Sequence, residues 1–196
     1  MKKDIFCKNS IGLLILAGGK SQRMGIDKGT LKMGEETFIS RLLKNMGDYD
    51  ERILSAPIKV EIAGVRVLPD EDSVAGKGPA AGIATALSFC RSKGLMVVPC
   101  DAPFADFSVA EKLIEAYCDM PQGMMRPVVA ESTRGIEPLI GIYPKCAGPI
   151  VRKALEDGIY KMKDILKKTG CKTVFVPDEK LININTPEDY KRYEQK

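Results

Sequence analysis

Two short segments of this 196-residue chain hold the residues best able to do chemistry. The first runs Leu16-Ala17-Gly18-Gly19-Lys20-Ser21-Gln22-Arg23-Met24-Gly25-Ile26-Asp27-Lys28. Adjacent glycines let backbone amides approach an anion, Arg23 can grip two phosphate oxygens at once, and Lys20 and Lys28 add point charges, so the loop has what a triphosphate needs. A Gly-rich surface turn with solvated basic side chains is the plainer reading of the same residues. The second segment, Pro99-Cys100-Asp101-Ala102-Pro103, puts a carboxylate directly after an apolar run, with two prolines stiffening the turn. Such a carboxylate suits a hard cation shared with phosphate oxygens; alternatively, it caps the helix that follows.

Other chemistry is excluded by composition. The chain has no histidine, which removes Ser-His-Asp and Cys-His nucleophile pairs, HExxH zinc sites and any imidazole base. Gly25 is followed by Ile26-Asp27, so the first loop is not a Walker A motif, and Gly76 to Gly82 misses the GxGxxG spacing by one residue. Thirty basic against 26 acidic residues give a net charge of +4 with both signs scattered, and aromatics are 6% with no tryptophan. That is an ordinary solvated surface with no base-stacking platform, and no nucleic-acid partner is expected. Six cysteines, Cys7, Cys90, Cys100, Cys118, Cys146 and Cys171, never form a CxxC pair and are read as thiols in a reducing cytoplasm. The apolar run Ile11 to Ala17 is too short and too closely flanked by charge for a leader, and no membrane span is expected.

The elements that must position the two segments follow from periodicity. Ile11 to Ala17 is a continuous apolar run, the pattern of a central strand buried on both faces. Phe38, Ile39, Leu42, Leu43 and Met46 recur at helical spacing, predicting a helix over Glu35 to Met46. Strands are expected at Arg52 to Ala56 and Lys59 to Leu68, then a loop from Pro69 to Gly78 opening a helix from Pro79 to Cys90 with proline in its first turn. A buried strand from Leu95 to Cys100 delivers Asp101 at its carboxyl end. Ser108 is expected to cap a helix running to Tyr117. Strands at Met124 to Ala130 and Ile136 to Tyr143 precede helices at Ile150 to Leu155 and Ile159 to Lys168. Strands at Lys172 to Val176 and Leu181 to Asn185 follow, with Thr186 capping a last helix from Pro187 to Glu194. Alternating strands and helices imply one three-layer α/β/α domain around a mostly parallel sheet, with ligands at the carboxyl ends of the strands. Area scaling, with about 70% of the chain's surface buried on folding, agrees with one domain over residues 1–196.

Five pieces in order, LAGGKSQRMGxDK, PD with GPAAG seven residues on, PCDAP, EPLIGIY and NINTPED, resemble the molybdenum cofactor guanylyltransferase family, called MobA. The resemblance implies a Rossmann-like nucleotidyltransferase fold of the glycosyltransferase-A type. It implies transfer of GMP from GTP to the terminal phosphate of molybdenum-molybdopterin, with release of pyrophosphate and Mg²⁺ as cofactor. Residue by residue, it puts Leu16, Ala17, Gly18 and Gly19 at the guanine and ribose, Lys28 and Arg23 at the phosphates, Asp70 at the nucleoside with Asp72 as competitor, and Asp101 at the magnesium. Asn183 and Asn185 fall on the pterin side, with the stretch from Arg134 to Tyr143 near them. Gly18-Gly19 favours GTP, since the related cytidylyltransferases read LAAG here. Many relatives, however, have a base-reading asparagine soon after the second strand, where this chain reads Ser55-Ala56-Pro57. A cytidylyltransferase of the same fold and a non-catalytic nucleotide-binding module are the alternatives. A monomer or weak oligomer, working in the cytoplasm with other proteins of molybdenum-cofactor biosynthesis or acceptor proteins, completes the expectation. The missing histidine suits this reaction, because a phosphate monoester is already mostly ionised at pH 7 and needs no base to become a nucleophile.

Overall fold

Ile11–Leu16 forms β1, and every one of its residues is buried. In a strand, alternate side chains leave opposite faces, so a run that is apolar throughout needs cover on both sides. The structure is a computed structural model and describes residues 10–18, 31–57, 61–121 and 123–193. In chain order the elements after β1 are β2 Lys32–Met33, β3 Glu36–Thr37, α1 Phe38–Asn45, β4 Arg52–Ser55, β5 Arg66–Leu68, α2 Pro79–Phe89, β6 Gly94–Pro99 and α3 Phe107–Cys118. There follow β7 Val128–Ser132, β8 Gly135–Pro144, α4 Gly148–Glu156, α5 Met162–Thr169, β9 Lys172–Phe175 and α6 Pro187–Tyr193.

Seven strands make one sheet in the order β5-β4-β1-β6-β8-β7-β9. β8 alone runs against its neighbours; β5, β4, β1 and β6 are mutually parallel. Leu13 and Ile15 of β1 pack with Leu42 of α1 and Val109 and Leu113 of α3 on one face. Leu14 and Leu16 pack on the other face with Ile83 and Leu87 of α2, Val151 of α4 and Ile165 of α5. This is the expected three-layer α/β/α sandwich. Among the described residues no helix is long and apolar enough to cross a membrane.

Several boundaries depart from the sequence reading. Glu36 and Thr37 belong to a hairpin with β2, and α1 begins only at Phe38, with Thr37 Oγ1 accepting from the Ser40 amide. Acidic residues suited to a first helical turn were instead taken up by the hairpin, whose turn carries Gly34 at φ 64°. Of the strand expected over Lys59 to Leu68, only Arg66–Leu68 pairs with β4, because Ala63 and Gly64 turn the chain between Ile62 and Val65; residues 58–60 lie outside the described residues. Asp106 caps α3 in place of Ser108, its carboxylate accepting from the Ser108 amide and hydroxyl. Leu181 to Asn185 is no strand. Its backbone groups are used elsewhere: the Ile184 amide donates to the Asp101 carbonyl at 2.7 Å, and the Leu181 carbonyl accepts from Arg134 at 2.9 Å. Cys118 is disulfide-bonded, so the reading of all six cysteines as thiols fails at that position, while Cys90, Cys100, Cys146 and Cys171 are not in disulfides.

Candidate nucleotide site at the carboxyl edge

From β1 the chain continues to β4 and β5 on one side and to β6 on the other, so the order of connection reverses between β1 and β6. In open parallel sheets the loops at such a reversal diverge and leave a crevice for a ligand. Leu16 lies opposite Pro99 in the β1–β6 register, and the Cys100 amide donates to the Leu16 carbonyl at 2.9 Å. Ala17, Gly18 and Asp101 therefore emerge side by side at the reversal. On the other flank the Ala17 amide donates to the Ser55 carbonyl of β4 at 2.8 Å, and the Ala56 amide to Leu68 of β5 at 3.2 Å. That ladder carries the edge across to Asp70, just beyond β5. Four neighbouring parallel strands span about 14 Å from the first to the last at the usual strand spacing, which separates Asp70 from Asp101 along the edge.

Two glycines here have different physical reasons. A Cβ at Gly82 in α2 would overlap the Ser55 hydroxyl and press on Leu16, so that glycine lets α2 lie against β4 and β1. Among the described residues, a Cβ at Gly18 would meet nothing closer than Pro57 Cδ at 3.9 Å and the Ser55 carbonyl at 4.0 Å. Packing against described residues therefore accounts for Gly82 and not for Gly18. Leu16 is buried in the core, so Ala17 and Gly18 are the residues of this strand end that reach the surface.

Asp70 is half-buried, and burial pushes its carboxyl pKa up, against a hydrogen bond from the Ser55 hydroxyl. Asp72, two residues on, is exposed in the following turn. Asp101 is half-buried, with its carbonyl held by Ile184. Asn183 comes to the same edge through that hydrogen bond, and its Oδ1 is buried with no hydrogen-bond partner among the described residues. Asn185 is exposed, and its amide donates to Asp189 at the start of α6. Thr186 Oγ1 accepts from the Asp189 amide while Asp189 accepts from the Thr186 amide, a reciprocal cap. Gly19, Arg23 and Lys28 lie outside the described residues. Leu16, Ala17, Gly18, Asp70, Asp101 and Asn183 are thus brought to one edge, and Asn185 to a helix cap beside it.

Sequence reasoning missed the residues that support Asp70. Ser55 was singled out only for what it replaces, although its place at the end of a strand beside β5 was a usable signal. Thr85 of α2 is buried, and its Oγ1 accepts from the Glu71 amide at 3.1 Å. Arg152 of α4 pairs with Glu71 at 2.8 Å; no local pattern announces a partner that distant in sequence.

The profile of the MobA-like NTP transferase domain matches residues 13–174. A protein of Carboxydothermus hydrogenoformans named "Probable molybdenum cofactor guanylyltransferase" is 32% identical over 192 residues, covering 93% of this chain and 94% of its own. Among solved structures, molybdopterin-guanine dinucleotide biosynthesis protein A of Archaeoglobus fulgidus superposes with a TM-score of 0.73 at 22% identity over 93% of this chain and 96% of its own. The 4-diphosphocytidyl-2C-methyl-D-erythritol synthase of Anaerococcus prevotii superposes with a TM-score of 0.71 at 14% identity over 96% and 97%. At such identities the two structures speak for the fold alone.

Proposed function

The chain belongs to the MobA-like NTP transferase family, and from that premise we propose that it transfers GMP from GTP to the terminal phosphate of molybdenum-loaded molybdopterin. The observation that carries the proposal is the placement of Gly18 and Asp101 side by side at the β1–β6 reversal, with Asp70 farther along the same edge. A triphosphate lying across this edge would put its phosphates near Asp101 and its nucleoside toward Asp70. Asp70 takes the nucleoside role over Asp72 because Asp70 is half-buried beside Ser55 and Asp72 is exposed.

In the proposed reaction an acceptor phosphate oxygen attacks the α-phosphorus of GTP, the bond from that phosphorus to the β-phosphate oxygen breaks, and pyrophosphate leaves. The acceptor arrives ionised, so the chain need not remove a proton. Its task is electrostatic: to hold two anions in line and to offset the charge that grows on the leaving group. Ala17 and Gly18 offer backbone close to the nucleotide, and the loop after them supplies Arg23 and Lys28 for the phosphates. Mg²⁺ ordinarily takes one or two protein carboxylates and leaves its other positions to water and phosphate oxygens. Asp101, a half-buried carboxylate just past β6 and beside Gly18, would be such a ligand. When bound there, the ion would neutralise phosphate charge. Asn183, with its buried oxygen unpartnered among the described residues beside this edge, falls on the side assigned to the acceptor. The proposal places the reaction in the cytoplasm.

Transfer of CMP from CTP is the second reading, and what favours it is the stretch Ser55-Ala56-Pro57, which lacks the base-reading asparagine that the family resemblance leads one to expect soon after the second strand. The test is pyrophosphate release from each of the four nucleoside triphosphates with Mg²⁺, with and without molybdenum-loaded molybdopterin. Release from GTP that requires the acceptor is the expected result. Release from CTP alone overturns the guanine assignment, acceptor-independent release overturns the acceptor, and no release from any nucleotide overturns the transferase reading.

A further inference from the structure

The loop Pro69 to Gly78, which carries Asp70, runs over the surface between β5 and α2 with Val74 as its buried residue. A surface loop anchored by one apolar side chain shifts readily unless polar contacts fix it. One arginine from a neighbouring helix of the same layer supplies such contacts. Arg152, in the middle of α4, puts Nη1 at 2.8 Å from Glu71 Oε2 and 3.2 Å from Ser73 Oγ. Its Nη2 lies 3.0 Å from Ser88 Oγ on α2. The planar fork thus ties two loop residues to a rigid helix at once, a geometry a lysine cannot copy. Glu71 is held from the other side by Thr85, and Asp70 next to it by Ser55.

We infer that Arg152 is a positioning residue for the nucleotide, acting through Glu71 and Ser73 to set where Asp70 stands at the carboxyl edge. The inference rests on the assignment of Asp70 to the nucleoside. α4 does not need the contact for its own packing, since Val151, Ala154 and Leu155 already bury its apolar face. With both side chains still about a quarter exposed, the ion pair adds little to global stability. What the arginine can change is the loop, and therefore nucleotide affinity.

The test measures GTP binding with Mg²⁺ by calorimetry, together with KM, kcat and the thermal midpoint, for the wild type, Arg152→Ala, Arg152→Lys, Glu71→Gln and the Arg152→Ala/Glu71→Gln double variant. Arg152→Ala should weaken GTP binding and raise KM about tenfold, the size of a coupling between residues in contact, with kcat within about twofold. Arg152→Lys, which keeps the charge beside Glu71, should recover part of the loss. Glu71→Gln should reproduce it, and the double variant should be no worse than the worse single one. Variants that bind GTP as the wild type does, or whose thermal midpoint falls without a change in KM, overturn the inference and leave the site assignment standing. A wild type that binds no nucleotide overturns both.

Discussion

Glu51 stands just ahead of β4 at the amino edge of the sheet, and Asp70 just after β5 at the carboxyl edge. Both carboxylates are drawn out of water, but the fold treats them differently. Burial pulls the Glu51 pKa up, yet hydrogen bonds from the Ser92 hydroxyl and the Arg91 and Ser92 amides outweigh it and hold the carboxyl below its ordinary range. The same loop is stitched to β1 by the Leu13 amide, which donates to the Glu51 carbonyl at 2.8 Å. For Asp70 the balance is reversed: burial outweighs the Ser55 hydrogen bond, and the pKa goes up. A carboxylate whose charge is met by the protein is a piece of architecture. One whose charge is left costly is consistent with the nucleoside contact proposed for Asp70.

The largest expected effect tests the carboxyl edge. Asp101→Ala should lower pyrophosphate release by about 10²-fold or more. The Ile184 amide grips the backbone carbonyl of residue 101, which alanine keeps, and the thermal midpoint reports whether the variant is folded. Near-normal turnover in the folded variant would remove Asp101 from the cation site. Next in size is the amino edge. Glu51→Ala leaves the Arg91 and Ser92 amides facing a vacancy, a loss of about 1–3 kcal/mol, which at roughly 2–4 °C per kcal/mol lowers the midpoint by about 2–12 °C. KM for GTP should not move. Since the folded pKa of Glu51 lies below its unfolded value, the carboxylate stabilises fully above that unfolded value and progressively less as pH falls through the folded one. The gap between wild type and variant should therefore narrow on acidification below about pH 4; a gap that widens in acid would refute the assignment.

How far the sequence reached follows from where each signal is stored. β1, β6 and α2 were legible because a run of consecutive residues carries the whole message: apolar throughout for strands covered on both faces, proline at the first turn for the helix. The placement of Gly18 and Asp101 at strand ends was legible for the same reason, each being the residue just past such a run. Leu181 to Asn185 misled because apolar and polar residues alternate there as in a strand. Its amide and carbonyl partners, Asp101 and Arg134, are assigned by tertiary contacts that no local pattern encodes. Asp70 and Asp72 looked alike for a related reason: both lie in one acidic run, and it takes β4 beside β5, bringing Ser55 near Asp70, to show that the first is half-buried and the second exposed. Arg152 could be found only after α4 had been placed beside α2.

Asp70→Asn is the sharpest and smallest of the stability tests, since its sign is the point. A carboxyl whose folded pKa is raised favours folding only below its unfolded pKa, and that benefit is lost as pH rises through the folded value. At neutral pH the charged Asp70 therefore weighs against the folded state, and an asparagine of the same shape, whose oxygen can still accept from Ser55, removes that burden. Asp70→Asn should weaken GTP binding about tenfold, as loss of one charge-assisted contact does, while the thermal midpoint at pH 7 stays level or rises slightly. Below about pH 4 the two midpoints should converge. If the midpoint instead falls as it does for Glu51→Ala, Asp70 is as much a part of the architecture as Glu51, and the contrast between the two edges of the sheet no longer marks the nucleotide site.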